Sequence, residues 1–134
     1  VTHSPTVAVA LAQHPGVDII MLGGRLYRHS MVNVGAAVIA AVAQYRADLF
    51  FMGVTGVHPE AGLSTGDAEE AEVKRALAAR AAETVVLASS EKLMAASPFV
   101  IAPASAMATL VVPHGAPAAT LRSFRKLGVT VQTT

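Results

Sequence analysis

Residues 48–88 read DLFFMGVTGVHPEAGLSTGDAEEAEVKRALAARAAETVVLA, and they decide the fold of this 134-residue chain. The segment begins and ends with apolar runs, residues 48–53 and 84–88, whose length suits buried strands. Between these runs, residues 67–82 carry apolar side chains at helical spacing. A strand, a helix and a second strand in this order predict a βαβ unit with parallel strands.

The rest of the chain repeats this alternation. Val1-Thr2 is interpreted as the end of a strand, Ser4 as a helix N-cap and Pro5 as the first helical residue. Further strands are predicted at 17–22, 99–102, 109–112 and 129–132, further helices at 5–13, 35–45 and 117–127, a short turn or helix near Ser105, and a loop at 54–66. Residues 25–32 suit either a loop or a short strand. We therefore predict an α/β fold with a Rossmann-like, mostly parallel sheet and helices on both faces.

Three charged residues in the predicted helix 67–82 fall on its apolar side. They are Asp67, Glu70 and Lys74, at positions i, i+3 and i+7. One explanation is a capping box, in which Asp67 caps the helix and Glu70 reaches back to the backbone. Lys74 lies two turns inside the apolar face, where it either pairs with Glu70 or reaches into a binding site. Both explanations remain open at this point.

Glycine-rich or polar loops follow three of the predicted strands, and ligands in such sheets bind at the carboxyl ends of strands. These loops are Gly23-Gly24-Arg25, the stretch that starts at Gly53, and Ser89 to Lys92. Tight turns alone also explain the glycines. In the third loop, the hydroxyls of Ser89 and Ser90 and the Lys92 ammonium suit an anion.

Composition and motifs exclude several classes of protein. With 53% hydrophobic and 14% charged residues, the chain is globular, and a net charge of +1 gives it no surface typical of nucleic-acid binding. No apolar run is long enough to span a membrane. The five histidines lack metal-ligand spacing, no nucleotide-binding motif is present, and we expect neither a metal nor a cofactor. The absence of cysteine fits a cytoplasmic location.

Five motifs in register resemble the C-terminal effector-sensing domain of DeoR-type transcriptional regulators. The motifs are VTHSPTVAVALA, the turn Gly23-Gly24-Arg25, DLFFMGVTGV, GLSTGDAEEAEVKRAL and LASSEKL, and the resemblance covers about residues 1–133. It implies a fold similar to phosphosugar isomerases and coenzyme A transferases, and a phosphorylated sugar or related metabolite as effector. It also implies that residues 1–134 are a single sensing domain that lacks the regulator's helix-turn-helix region and the sensor's first strand.

The resemblance gives the charged residues of the helix a binding role. Asp67, Glu70 and Lys74, with Thr65, are then expected to face the sugar hydroxyls in a cavity at the strand ends, while Lys92 holds the phosphate. The other expected effector-binding residues are Gly23, Gly24, Arg25, Gly53 and Ser90. The chain departs from the family pattern at Thr2-His3, at Pro113-His114 and in LASSEK. These departures concern the identity of the effector more than the fold.

The resemblance leaves two further expectations. Family regulators are commonly dimers or larger, so we expect a homodimer or higher homo-oligomer that contacts DNA only through the missing N-terminal region. An active phosphosugar isomerase or deaminase of the same fold is the alternative function, since Glu70 and Lys74 permit acid–base chemistry. Related isomerases carry an acid-rich stretch where this chain has Thr55 to Pro59, and the loss of those acids favours binding without catalysis.

Overall fold

The computed structural model describes residues 1–134. The helices are α1 (Pro5–Leu11), α2 (Ala36–Val42), α3 (Ala68–Ala79) and α4 (Ala118–Lys126), with short 3-10 turns at Ser90–Lys92 and Ala104–Ala106. The strands are β1 (Arg25–Tyr27), β2 (Val32–Val34), β3 (Ala47–Gly53), β4 (Gly56–His58), β5 (Gly62–Thr65), β6 (Ala81–Leu87), β7 (Phe99–Ala102), β8 (Thr109–Val112) and β9 (Thr130–Thr133). The longest helix has 12 residues, and none is long and apolar enough to cross a membrane.

A four-stranded parallel sheet forms the centre of the fold. Its strand order is β3-β6-β8-β9, and every neighbouring pair runs parallel. Strands β3 and β6 are joined through α3, as the sequence of residues 48–88 predicts. Helices flank the sheet, and the predicted α/β class with a mainly parallel sheet is confirmed.

A second, antiparallel sheet occupies the segment that the sequence predicts as a loop, residues 54–66. Strands β4 and β5 form a hairpin, and β5 pairs on its other side with β7. The loop prediction is therefore wrong, and β7 belongs to this small sheet instead of the parallel one. Gly62 permits the hairpin because its φ of +82° is a left-handed conformation that side chains other than glycine rarely adopt.

The apolar run at residues 17–22 does not form the predicted buried strand. Its only ladder contact is a parallel bridge between Met21 and Thr2, and Val17, Ile20 and Met21 are exposed. An apolar run alone therefore does not show that a segment pairs with a neighbouring strand.

Strand β3 exists as predicted, but it is not buried. It lies at the edge of the parallel sheet, because only β6 pairs with it. Met52 is its one buried side chain, whereas Leu49 and Phe51 are 48% and 61% exposed. The prediction of a buried strand is wrong here because an apolar run does not reveal whether both faces and both edges are covered.

Two groups of buried side chains hold the layers together. The larger joins the parallel sheet to α4 and the small sheet, with Phe124, Met52 and Leu63 as its largest members. The smaller joins α2 and α3 to the β1–β2 hairpin through valines such as Val38 and Val73. Helix α3 contributes to both groups, so it links the two halves of the core.

Candidate functional site

A cavity of about 760 Å³ opens between the outer edge of β3 and the first residues of the chain. Its wall is mostly apolar and includes Leu49 and Phe51 from β3 together with residues of α1 and of the segment 17–19. The polar side chains that line it are Thr2, His3, Ser4, Asp18, Ser30, Thr55, Glu70, Lys74 and Lys92. A mostly apolar pocket with a few converging polar groups is the usual form of a small-molecule site.

The Glu70–Lys74 pair is the buried charged group on this wall. The Nζ atom of Lys74 donates to Oε1 of Glu70 over 2.6 Å, and the two residues are only 6% and 2% exposed. The other carboxylate oxygen of Glu70 accepts hydrogen bonds from Thr65 over 2.8 Å and from Ser30 over 3.2 Å. The pair is therefore neutral overall, and its carboxylate is held by three donors from three separate parts of the chain.

The donors around Glu70 decide its ionisation. Burial alone raises the pKa of this carboxyl, but the hydrogen bond and charge of Lys74 act against it, as do the hydroxyls of Thr65 and Ser30. The pKa of Glu70 is consequently below its usual range. Glu70 therefore stays a carboxylate at neutral pH, an acceptor for ligand groups that carry O–H or N–H.

Asp67 and Glu70 have separate roles at the start of α3. Asp67 is the N-cap, and its Oδ1 accepts from the backbone N–H of Glu70 over 2.9 Å, as the sequence predicts. The reciprocal half of the capping box is absent, because the Glu70 side chain turns into the protein toward Lys74. Of the three charges on the apolar side, Glu70 and Lys74 reach the cavity, and Asp67 does not.

His3 is a buried member of the cavity wall that the sequence did not single out as a site residue. It is 9% exposed, and its Nε2 atom is shielded from water without a hydrogen-bond partner. Burial, followed by the nearby Lys74 charge, lowers the pKa of His3 from 6.5 to about 4, although Glu70 acts in the opposite direction. The ring is therefore uncharged at neutral pH.

Lys92 reaches the cavity from the loop after β6, and no carboxylate lies within salt-bridge distance of it. The two serines that the sequence groups with Lys92 do not join it there. Ser90 is exposed outside the cavity, and the Ser89 hydroxyl donates to Glu91. This loop thus brings a free ammonium to the cavity, but not the predicted pair of hydroxyls.

The other predicted site residues are divided between the cavity and its surroundings. Gly53 lines the cavity, and Thr65 lies behind Glu70 as its hydrogen-bond donor. Gly23, Gly24 and Arg25 lie outside it, and Arg25 instead pairs with Glu69 on the surface of α3. Ligand contact by all of these residues stays a prediction.

Gly24 has a packing role, because a Cβ atom there would lie 2.5 Å from Cγ2 of Val38 and 2.8 Å from the carbonyl oxygen of Val34. We expect Gly24→Ala to lower the free energy of unfolding by roughly 1–3 kcal/mol through overpacking. Gly23→Ala is the matched control, since nothing lies within 4 Å of its Cβ position. Urea titrations that give equal stability for both variants would contradict this packing role.

Several polar residues of the cavity were not predicted as site residues, and His3 and Ser30 were missed for the same reason. Each is a single polar residue whose place on the wall depends on residues far away in the chain, such as Glu70, which lies 40 residues from its hydrogen-bond donor Ser30. The only available signal was the departure at Thr2-His3 from the family pattern.

The chain matches known transcriptional regulators across its length. The sequence profile described as "DeoR C terminal sensor domain" matches residues 1–114. The chain is 32% identical over 130 residues to the "Putative aga operon transcriptional repressor" of Escherichia coli O157:H7, covering 97% of this chain and 48% of that protein. This chain thus spans about half of that relative.

Two further relatives match a shorter part of the chain. The "HTH-type transcriptional repressor GlcR" of Bacillus subtilis is 31% identical over 93 residues, which is 69% of this chain and 36% of the repressor. The "Glycerol-3-phosphate regulon repressor" of Haemophilus influenzae is 29% identical over 92 residues, again 69% and 36%. Together with the match to residues 1–114, these similarities show that the chain belongs to the DeoR C-terminal sensor domain family.

Proposed function

We propose that this domain binds a phosphorylated sugar or a related phosphorylated polyol, and that binding controls the attachment of a regulator to DNA through a helix-turn-helix region. The observation that carries the proposal is the buried Glu70–Lys74 pair on the wall of a 760 Å³ cavity that Lys92 also lines. One relative is named for a glycerol-3-phosphate regulon, which agrees with a small phosphorylated effector.

The cavity offers different chemistry to the two parts of such an effector. The ammonium of Lys92 forms no salt bridge, so it is available to the phosphate. The Glu70 carboxylate is already balanced by Lys74, and it suits hydroxyl groups, which donate hydrogen bonds. A ligand that carries both groups gains from both parts of the wall.

The stretch Thr55 to Pro59 favours binding without catalysis. The stretch Thr55 to Pro59 supplies no carboxylate to the cavity, and its polar side chains make structural contacts. The hydroxyl of Thr55 bonds Ser97 over 2.6 Å, and Nδ1 of His58 accepts from the backbone of the β4–β5 turn. We accordingly propose a sensor and not an isomerase or deaminase, and a homodimer or higher oligomer as its working state.

Replacement of Lys92 tests the placement of the phosphate. We expect Lys92→Met to weaken the binding of glucose 6-phosphate or glycerol 3-phosphate roughly ten- to a hundredfold, since a charge-assisted hydrogen bond contributes about 1.5 to 3 kcal/mol. A thermal-shift screen selects the tighter of the two ligands, because a true effector raises the melting temperature by mass action. Isothermal titration calorimetry then measures the affinity of both proteins.

Lys126→Met is the matched control for this experiment, because Lys126 is an exposed lysine on α4 that does not line the cavity. Its affinity should equal that of the unmodified chain. Equal affinities in the unmodified chain, Lys92→Met and Lys126→Met would show that Lys92 does not bind the phosphate. Failure of every phosphorylated ligand to bind the unmodified chain would overturn the proposed function.

A further inference from the structure

We propose that His3 is a specificity-determining residue of the cavity, whose imidazole forms a hydrogen bond with a hydroxyl group of the effector. This inference rests on the proposed function, because it assumes that the cavity is the effector site. It adds the requirement that the bound molecule carry a hydroxyl near the Glu70–Lys74 pair, in addition to its phosphate.

The backbone around His3 is fixed on both sides, so the ring has a defined place on the wall. Thr2 lies between two hydrogen bonds, donating its N–H to Ile20 over 2.9 Å and accepting from Leu22 over 2.8 Å. The carbonyl of His3 itself accepts from the N–H of Asn33 over 2.7 Å. A side chain anchored in this way meets a ligand without first paying the entropy of ordering its own backbone.

The Nε2 atom of His3 lacks a hydrogen-bond partner, although it is buried. Glu70, by contrast, accepts hydrogen bonds from three side chains, whereas Nε2 of His3 has none. A buried polar atom left without a partner destabilises a protein, because it has lost its hydrogen bonds to water and gained none in return. Because His3 lines the cavity but its Nε2 atom is covered, a small rotation of the ring is needed to bring this atom to a ligand. A ligand that then supplies the missing hydrogen bond recovers the lost stability, which makes the position selective for ligands with a group that can hydrogen-bond.

The charge state of His3 points to a hydroxyl as that group. Burial and Lys74 hold the pKa of His3 at about 4, so at pH 7 the ring has one donor and one acceptor nitrogen and no charge. A hydroxyl both donates and accepts, so it matches either tautomer. A phosphate gains more from the free ammonium of Lys92, which lines the same cavity.

Calorimetry with two probes separates recognition of the hydroxyl from recognition of the phosphate. The probes are glucose 6-phosphate and inorganic phosphate, and the variants are His3→Phe, His3→Asn and His14→Phe. We expect His3→Phe to weaken glucose 6-phosphate about tenfold and to leave inorganic phosphate within twofold. His3→Asn keeps a hydrogen-bonding group and should retain part of the affinity, while His14 is exposed and its variant should behave as the unmodified chain.

A second measurement uses the unmodified chain, so it does not depend on how well a variant folds. Nitrogen-15 NMR of the histidine rings should show the Nε2 resonance of His3 shifting as glucose 6-phosphate saturates the protein. An unmoved resonance, or an unchanged affinity in His3→Phe, overturns the role of His3 while the proposed function stands. An equal loss for inorganic phosphate also overturns it, whereas failure of every phosphorylated ligand to bind the unmodified chain defeats the proposed function itself.

Discussion

Lys74→Met is expected to lower the free energy of unfolding by about 3–5 kcal/mol, because it leaves a buried carboxylate without its counter-charge. The Glu70 carboxylate is 2% exposed, and Lys74 is its only cationic partner. The hydroxyls of Thr65 and Ser30 remain as donors, but they carry no positive charge to balance it. Chemical denaturation followed by circular dichroism at pH 7 measures the loss.

A double variant shows whether the loss comes from the stranded charge. In Glu70→Gln/Lys74→Met the carboxylate is replaced by a neutral amide of similar size, so this protein should be more stable than Lys74→Met alone. Lys126→Met again serves as the exposed control. If Lys74→Met loses less than 1 kcal/mol, the Glu70 carboxylate reaches water once the lysine is removed, and the pair is not a structural unit.

Acidification is expected to reveal His3 as a destabilising residue below pH 6.5. The pKa of His3 falls from 6.5 in the unfolded chain to about 4 in the folded domain. Between pH 4 and pH 6.5 the unfolded chain therefore binds a proton at His3 that the folded domain does not bind. The free energy of unfolding should therefore decrease as the pH falls, by about 2 kcal/mol at pH 5 and about 3 kcal/mol at pH 4 from this residue.

The difference between the unmodified chain and His3→Asn isolates this contribution. Glu70 acts at lower pH, because its lowered pKa gives stability that is present above its ordinary value of 4.5 and is lost as the pH falls further. Denaturation curves at pH 7 and pH 5 therefore report mainly on His3 when the two proteins are compared. The free energy of unfolding of His14→Asn should change with pH as that of the unmodified chain does. If His3→Asn shows the same change as well, the pKa of His3 in the unmodified chain is not lowered.

Local signals in the sequence predicted the helices well. Asp67 caps α3 and Ser4 caps α1 as expected, and Gly128 has the positive φ, +82°, of a residue that ends a helix. These features depend on residues within a few positions of one another. The alternation of helices with apolar runs was then enough to predict the parallel sheet.

Features that depend on distant partners were not predictable in the same way. The β4–β5 hairpin has short strands and a turn, Pro59 to Ala61, without the Asn-Gly or Asp-Gly signature, so it resembled a loop. The run at 17–22 looked like a strand because composition does not show where hydrogen-bond partners lie. In both cases pairing between remote segments decided the outcome.

The candidate site was likewise predictable in its local features but not in the contacts between distant residues. The inward-facing charges of α3 follow from helical periodicity, and the structure places Glu70 and Lys74 in one buried pair. The charges of Lys74 and Glu70 act on His3 from a helix some 70 residues away in the chain, and no local pattern indicates that His3 is buried. The cavity itself also depends on how the first residues of the chain lie against β3.

The outer edge of β3 has a consequence for the protein in concentrated solution. No strand pairs with this edge, and Leu49 and Phe51 are accessible beside it. An unpaired apolar edge is a template on which strands from other molecules add, and nothing in ADLFFMG except Asp48 opposes that addition. In a protein made of residues 1–134 alone, fibrous aggregation should therefore begin at β3, and a ligand that fills the neighbouring cavity should delay it.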